Sequence, residues 1–227
     1  MKIVTTTVAY DGYHTAQDEG PKYRPIGSAS QRRLDVLREA IAKSHARKAD
    51  LLCLPGGYFY YASSNPRTKP LESTEPQLVR LIEAIKALVK DCQLAVAVGL
   101  DLAEKDPNGG NERDVRDGTL PWYALCWSPS NGRLDCWNQR SITSAHTSVC
   151  SLSRCNQART MQVQGGQVEI LMCGDIFNSR IRDAITQRHQ KPLALVDMAH
   201  TNGTAVIVGG AEPWRGRRGG GADFRRV

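Results

Sequence analysis

Residues 94–100 read Leu-Ala-Val-Ala-Val-Gly-Leu, seven positions without one polar side chain. The run has strand length and no alternation, so it predicts a strand buried on both faces, inside a sheet. Such a strand needs a layer on either side of it. Shorter apolar runs recur at 51–54, ending in Pro55-Gly56-Gly57, at 168–172, where only Glu169 is charged, and at 193–198. Residues 2–9 read as a first strand and 204–208 as a last one.

Between these runs the period changes to that of a helix. Leu34, Leu37 and Ile41 fall at i, i+3 and i+7, with basic residues on the other faces. Leu78, Leu81, Ile82, Ile85, Leu88 and Val89 form a second stripe. Thr74 ahead of Glu75, Pro76 and Gln77 predicts its N-cap, with Pro in the first turn and a capping-box partner. Residues 123–127 and 134–137 flank Ser-Pro-Ser-Asn-Gly and predict a β-hairpin. Residues 11–30, 62–73 and 104–119 read as polar loops, and 179–189 as a further helix. Strands alternating with helices, interrupted by a hairpin, predict an α/β layered fold.

Length and charge narrow the class. At 227 residues, one domain over 1–213 is expected, followed by a tail. Residues 214–227 hold five arginines and one aspartate, thus +4 of the formal +7, around Gly219-Gly220-Gly221. This Gly/Arg-rich stretch is expected to be disordered. It lacks an aromatic platform or binding motif, so nucleic-acid binding is not expected. No run approaches membrane-spanning length, and the first residues lack a secretory h-region, so a cytoplasmic location is expected. Seven scattered cysteines without a paired metal-ligand spacing predict neither structural zinc nor a disulfide framework. No cofactor is expected.

The chemistry is concentrated at 168–180, Val-Glu-Ile-Leu-Met-Cys-Gly-Asp-Ile-Phe-Asn-Ser-Arg. Cys173 stands where a strand ends, beside a glycine suited to a sharp turn and just before a helix start. A thiol on such an elbow can project into a cleft, where helix N-terminal N–H groups favour its thiolate. The same position also suits a cysteine that merely packs.

Three segments in order, 49–59 (ADLLCLPGGYF), 133–143 (RLDCWNQRSIT) and 168–177 (VEILMCGDIF), resemble the signature blocks of the nitrilase superfamily, the carbon–nitrogen hydrolases. The resemblance spans about residues 1–203. It implies a four-layer αββα sandwich, commonly dimerised through its helices, and a Glu–Lys–Cys catalytic set acting on small amides or nitriles. Cysteine attacks the carbon, glutamate moves protons and lysine stabilises the oxyanion.

Only the nucleophile position is filled in kind, by Cys173. The glutamate position is Gly56. The lysine position falls on Gln139, with Arg140 one residue on and therefore on the opposite face. Asp175 is expected to brace the elbow. Tyr58 and Phe59 are assigned to a pocket, with a core role as the alternative. His146 and His200 are the histidines able to act as displaced bases. After 197–203 the chain departs from the family, so a C-terminus truncated or altered relative to it is expected.

Two readings follow. One is a carbon–nitrogen hydrolase-like protein, with Cys173 as thiol nucleophile, whose hydrolysis is weak or absent. The other is an inactive family member that acts as a binding or interaction module.

Overall fold

The computed structural model describes residues 1–6, 28–65, 68–104, 120–141, 157–188, 192–198 and 204–208. Its strands form two sheets. The first runs in the order β1 (Ile3–Thr5), β2 (Leu51–Cys53), β4 (Ala95–Glu104), β5 (Trp122–Ser128), β6 (Arg133–Asn138), with β3 (Phe59–Ser63) also on β4. The second runs β10 (Thr204–Val208), β9 (Ala194–Met198), β8 (Gly166–Met172), β7 (Thr160–Val163). The expected run at 94–100 is the heart of β4, which lies between β2 and β5.

The layers follow from side-chain parity along the strands. Leu51, Cys53, Ala95, Ala97, Ala124 and Cys126 of the first sheet meet Val168, Ile170, Met172, Val196 and Met198 of the second. On the outer face of the first sheet, Leu52, Val96, Val98 and Leu125 pack with α1 (Ser28–Ala46) and α2 (Pro76–Val89) through Leu34, Leu37, Leu78, Leu81 and Ile85. Leu171 and Leu195 pack outward against Ile181 and Ile185 of α3 (Ser179–Gln187). The result is the expected four-layer αββα sandwich.

Two local expectations are corrected. Residues 62–73 are not simply loop: β3 occupies 59–63 and a 3-10 turn spans Pro70–Glu72. The reason lies in β4, which is ten residues long while β2 covers only residues 95–97 of its edge. The uncovered part, Leu100–Glu104, takes β3 as a parallel partner. Between the two registers, residues 54–58 stand against residues 98 and 99 alone, so the chain loops outward at Pro55–Gly57. Gly99 lies directly beneath. A Cβ there would fall 2.4 Å from the Pro55 carbonyl oxygen and 2.5 Å from Gly56 Cα.

The N-cap of α2 is Glu75, not Thr74, and Pro76 is its first residue. The Glu75 carboxylate is drawn away from its own helix. It accepts from Tyr61 Oη at 3.0 Å, the Ser64 backbone N–H at 3.0 Å and the Ser63 hydroxyl.

At the elbow a 3-10 turn spans Cys173–Phe177, and α3 begins at Ser179, where the sequence places it.

Among the described residues no helix is long and apolar enough to cross a membrane. His146, His200 and the tail at 214–227 lie outside the described residues.

Candidate functional site

Strand direction brings the sequence-predicted positions to one end of the sandwich. β2 runs parallel to β4, and β4 and β5, like β5 and β6, are antiparallel, so β2, β4 and β6 all point the same way. Gly56 follows β2, Gln139 and Arg140 follow β6, and Cys173 follows β8 on the opposite sheet. Asp175 joins the ends of β8 and β6: its Oδ1 accepts from the Arg140 backbone N–H at 2.7 Å and from that of Ser141 at 2.9 Å. Gly56 and Gln139 fall two residues apart along β4. Gly99 lies under the Gly56 turn, and the Gln139 N–H donates to Trp122, whose partner is Asp101. The lip between the sheets lies beyond the carboxyl ends of their strands, where open α/β sheets commonly place ligands.

Cys173 is half-buried and has φ 39°, inside the left-handed region. That backbone costs a non-glycine residue on the order of 1–2 kcal/mol. Its surroundings hold it there. Asp175 is fully buried, and its Oδ2 accepts from the Met172 backbone N–H at 3.4 Å and from Arg140 Nε at 3.2 Å. One carboxylate thus ties the residue before the cysteine to the segment after β6. The Arg180 N–H in the first turn of α3 is taken by the cap. Asn178 caps that helix, its Oδ1 accepting from Arg180 N at 3.0 Å, while its Nδ2 donates to Ser141 Oγ at 2.9 Å.

At the lysine position Gln139 carries no charge, and the Arg140 charge is engaged by the Asp175 carboxylate of the elbow. Gln139 is 1% exposed, and its Nε2 donates to the Ser141 carbonyl in its own loop. Arg140 is also 1% exposed. Its guanidinium turns into the protein, Nη1 donating to Gln157 O at 3.0 Å and reaching Glu169 Oε1 at 3.4 Å. Glu169 is joined on its other oxygen by Arg188 and by the Arg159 backbone N–H. Arg159 is 2% exposed, with Nη2 on Asn138 Oδ1 at 3.1 Å. Burial, with the Arg140 charge beside it, disfavours the Arg159 cation, while Asp175 and Glu169 favour it.

Sequence reasoning missed Arg159, Arg188, Ser141 and Asn178. A single signal was available, Glu169, the one charge in an apolar strand. A carboxylate there must be buried, and a buried carboxylate requires cations around it.

The remaining candidates are placed as follows. Gly56 supplies no side chain, and its φ is not positive. Tyr58 and Phe59 are corrected from pocket to core. They are 1% and 0% exposed in the helix-side core, their rings edge to face at 4.9 Å, and Tyr58 Oη donates to Arg33 O at 2.7 Å.

Three of the other described thiols are held protonated by burial. Burial pushes Cys53 and Cys126 well above the ordinary thiol range, and Cys136 up to about 12. No group of three or more metal-ligating side chains occurs among the described residues.

No protein-family model matches the chain, and no curated protein sequence matches it significantly. Solved structures do. A cysteine-to-serine variant of an amidase from Nesterenkonia AN1, of the nitrilase superfamily, superposes with TM-score 0.52 at 14% identity, covering 84% of this chain and 82% of that one. A glutamate-to-glutamine variant of the Nesterenkonia amidase, showing covalent addition of the acetamide moiety of fluoroacetamide at its active-site cysteine, gives TM-score 0.52 at 15% identity, covering 82% and 79%. The same amidase in complex with butyramide gives 0.51 at 14% identity, covering 84% and 81%. With its two facing sheets, outer helices and cysteine elbow, this chain has the fold of the nitrilase superfamily.

Proposed function

We propose that the chain is a carbon–nitrogen hydrolase-like protein that takes a small amide or nitrile at the lip beside Cys173, with hydrolysis weak or absent. The observation that carries this reading is a contrast at one place. The elbow is kept, with its left-handed cysteine and its Asp175 brace, while Gly56 presents no acid–base group and Gln139 and Arg140 are turned into other bonds.

The thiol can still add to an electrophilic carbon. Collapse of the tetrahedral adduct then needs a proton for the leaving nitrogen, and hydrolysis of the thioester needs a base for water. General acid–base assistance is worth ~10²–10⁴ in rate and an oxyanion donor on the order of 10²–10³. Without both, an acyl-enzyme forms and clears slowly, and ligand occupancy outlasts turnover. The Nesterenkonia amidase structures supply the probes: fluoroacetamide as electrophile and butyramide as amide.

The test is intact-mass and peptide mapping after fluoroacetamide, run beside ammonia release from butyramide, with Cys173→Ser as control. The expected result is an adduct confined to Cys173, with no ammonia above that control. Sustained release that Cys173→Ser abolishes would overturn the loss of hydrolysis. Adducts spread evenly over other cysteines would overturn the site. Gly56→Glu returns a carboxylate to the position that follows β2, and is expected to raise ammonia release.

A further inference from the structure

On the inner face of β4 an apolar row ends in an acid. The positions facing the second sheet are Ala95, Ala97, Gly99 and then Asp101, since Val96, Val98, Leu100 and Leu102 belong to the helix-side core. Strand register sets Tyr60 of β3 beside Asp101 on one side and Trp122 of β5 on the other, and directly paired residues share a face. Gln139 continues the row. Its N–H donates to the Trp122 carbonyl, one step beyond the Tyr123–Asn138 pair. Trp122 packs against the inter-sheet core, as does Trp137, two residues before Gln139, so the face is the inner one.

The row lies at the lip: Gly99, the residue before Asp101 on this face, has Pro55 and Gly56 directly against it. Two of its members are acceptors. Asp101 is 6% exposed and stands between two half-buried aromatic residues. An acid is disfavoured within strands and costly to bury beside aromatic rings. Gln139 supplies the second acceptor. The Ser141 carbonyl can only accept, so the amide atom facing it is the nitrogen, and Gln139 Oε1 is left buried without a hydrogen-bond partner. The lysine position therefore offers a lone pair where a cation would stand.

We propose that the ligand of the lip is a primary amide bearing a terminal ammonium group, with the ammonium held by Asp101 between Tyr60 and Trp122 and an amide N–H donated to Gln139 Oε1. This rests on the amide reading above and narrows it, because a nitrile has no N–H to give the Gln139 oxygen. Aromatic rings on either side of a carboxylate suit an organic cation, which gains from the rings as well as from the charge. Two strand spacings, about 10 Å, separate the backbones of Asp101 and Gln139. A hydrogen bond of about 2.9 Å at each end leaves about 4–6 Å for the ligand, the reach of a short aliphatic chain.

The test is a ligand-observed NMR titration of the full chain with three probes: γ-aminobutyramide, pentanamide, in which a methyl replaces the ammonium, and γ-aminobutyronitrile. The expected result is that γ-aminobutyramide binds about tenfold or more tightly than either of the others. Asp101→Asn is expected to bring γ-aminobutyramide and pentanamide to the same affinity, and a preference that survives this change would overturn the role of Asp101. The comparison of probes uses the unaltered protein, so it decides the matter even where that variant does not fold. Pentanamide binding as tightly as γ-aminobutyramide would overturn the ammonium site and leave the amide reading standing. Equal binding of γ-aminobutyramide and γ-aminobutyronitrile would overturn the Gln139 contact. Binding of none of the three would overturn the amide reading itself, and this proposal with it.

Discussion

Asp175 grips Arg140 twice, accepting its backbone N–H at 2.7 Å and its Nε at 3.2 Å. Main chain and side chain of one residue are thereby fixed against the turn that begins at Cys173. Both partners are fully buried, so the pair behaves asymmetrically on mutation: removing one member strands the other's charge. Asp175→Ala is expected to destabilise the protein by about 3–5 kcal/mol in urea unfolding at neutral pH. Asp175→Asn keeps an acceptor and is expected to lose less. An Asp175→Ala midpoint equal to wild type would show that the elbow stands without this brace.

The Pro55–Gly57 turn rests on Gly99 with no room between them. Gly99→Ala brings a methyl within 2.4–2.6 Å of backbone atoms, which cannot yield as a flexible side chain can. A loss of about 1–3 kcal/mol is expected, read as a fall in the urea midpoint. Gly132→Ala is the contrast. Its added Cβ meets nothing within 4 Å, and only the positive φ of 62° is penalised, so about 1 kcal/mol is expected.

Lys48 sits two residues beyond α1 with φ 54°, its N–H donating to His45 O and the next N–H reaching back to Ser44 O. This is a helix C-terminal geometry that glycine adopts without strain. Lys48→Gly is expected to raise stability by about 1 kcal/mol, measured as an increase in Tm. A lower Tm would mean that the lysine side chain contributes more than its backbone costs.

Acid should weaken the junction of β3 with α2. Burial opposes the Glu75 charge, but hydrogen bonds from Ser63, Tyr61, Ser64 and Asn65 outweigh it and hold the carboxyl below the ordinary carboxylate range. A folded-state value lower than the unfolded one means the contribution is complete above the unfolded pKa. It is then lost as pH falls through the folded one. Glu75→Gln is expected to cost about 1–2 kcal/mol at pH 7 and to flatten the stability decline below about pH 4.5. Parallel stability–pH curves for the two proteins would refute this. In the same cluster, burial and the neighbouring carboxylate push Tyr61 up to about 12.

Much of the architecture is legible where the signal is local. The unbroken run at 94–100 became the shared inner strand of the first sheet, the Leu78–Val89 stripe became the buried face of α2, and Gly132 closed the hairpin. What depended on distant partners was not legible. Aromatic residues 58–61 do not announce that β4 has a spare edge for them to pair with. Thr74 is the better cap by residue type, yet Glu75 takes the position because Ser63 and Tyr61 engage its carboxylate. At the site, Cys173 was readable from the strand that ends at it. The inward turn of Arg140 was not, because it depends on Glu169 and Asp175, 29 and 35 residues away.

The outward turn between β2 and β3 has both of its ends fastened to one neighbour. β4 fixes Cys53 at one register and Phe59 at the next, so the separation of the two ends does not depend on what lies between them. Only residues 55–57 lie outside both the strand pairing and the helix-side core that holds Leu54 and Tyr58. Lengthening them raises loop-closure entropy only logarithmically and shifts no strand pairing. A longer segment inserted at Gly56 leaves the registers of β2 and β3 on β4 as they are.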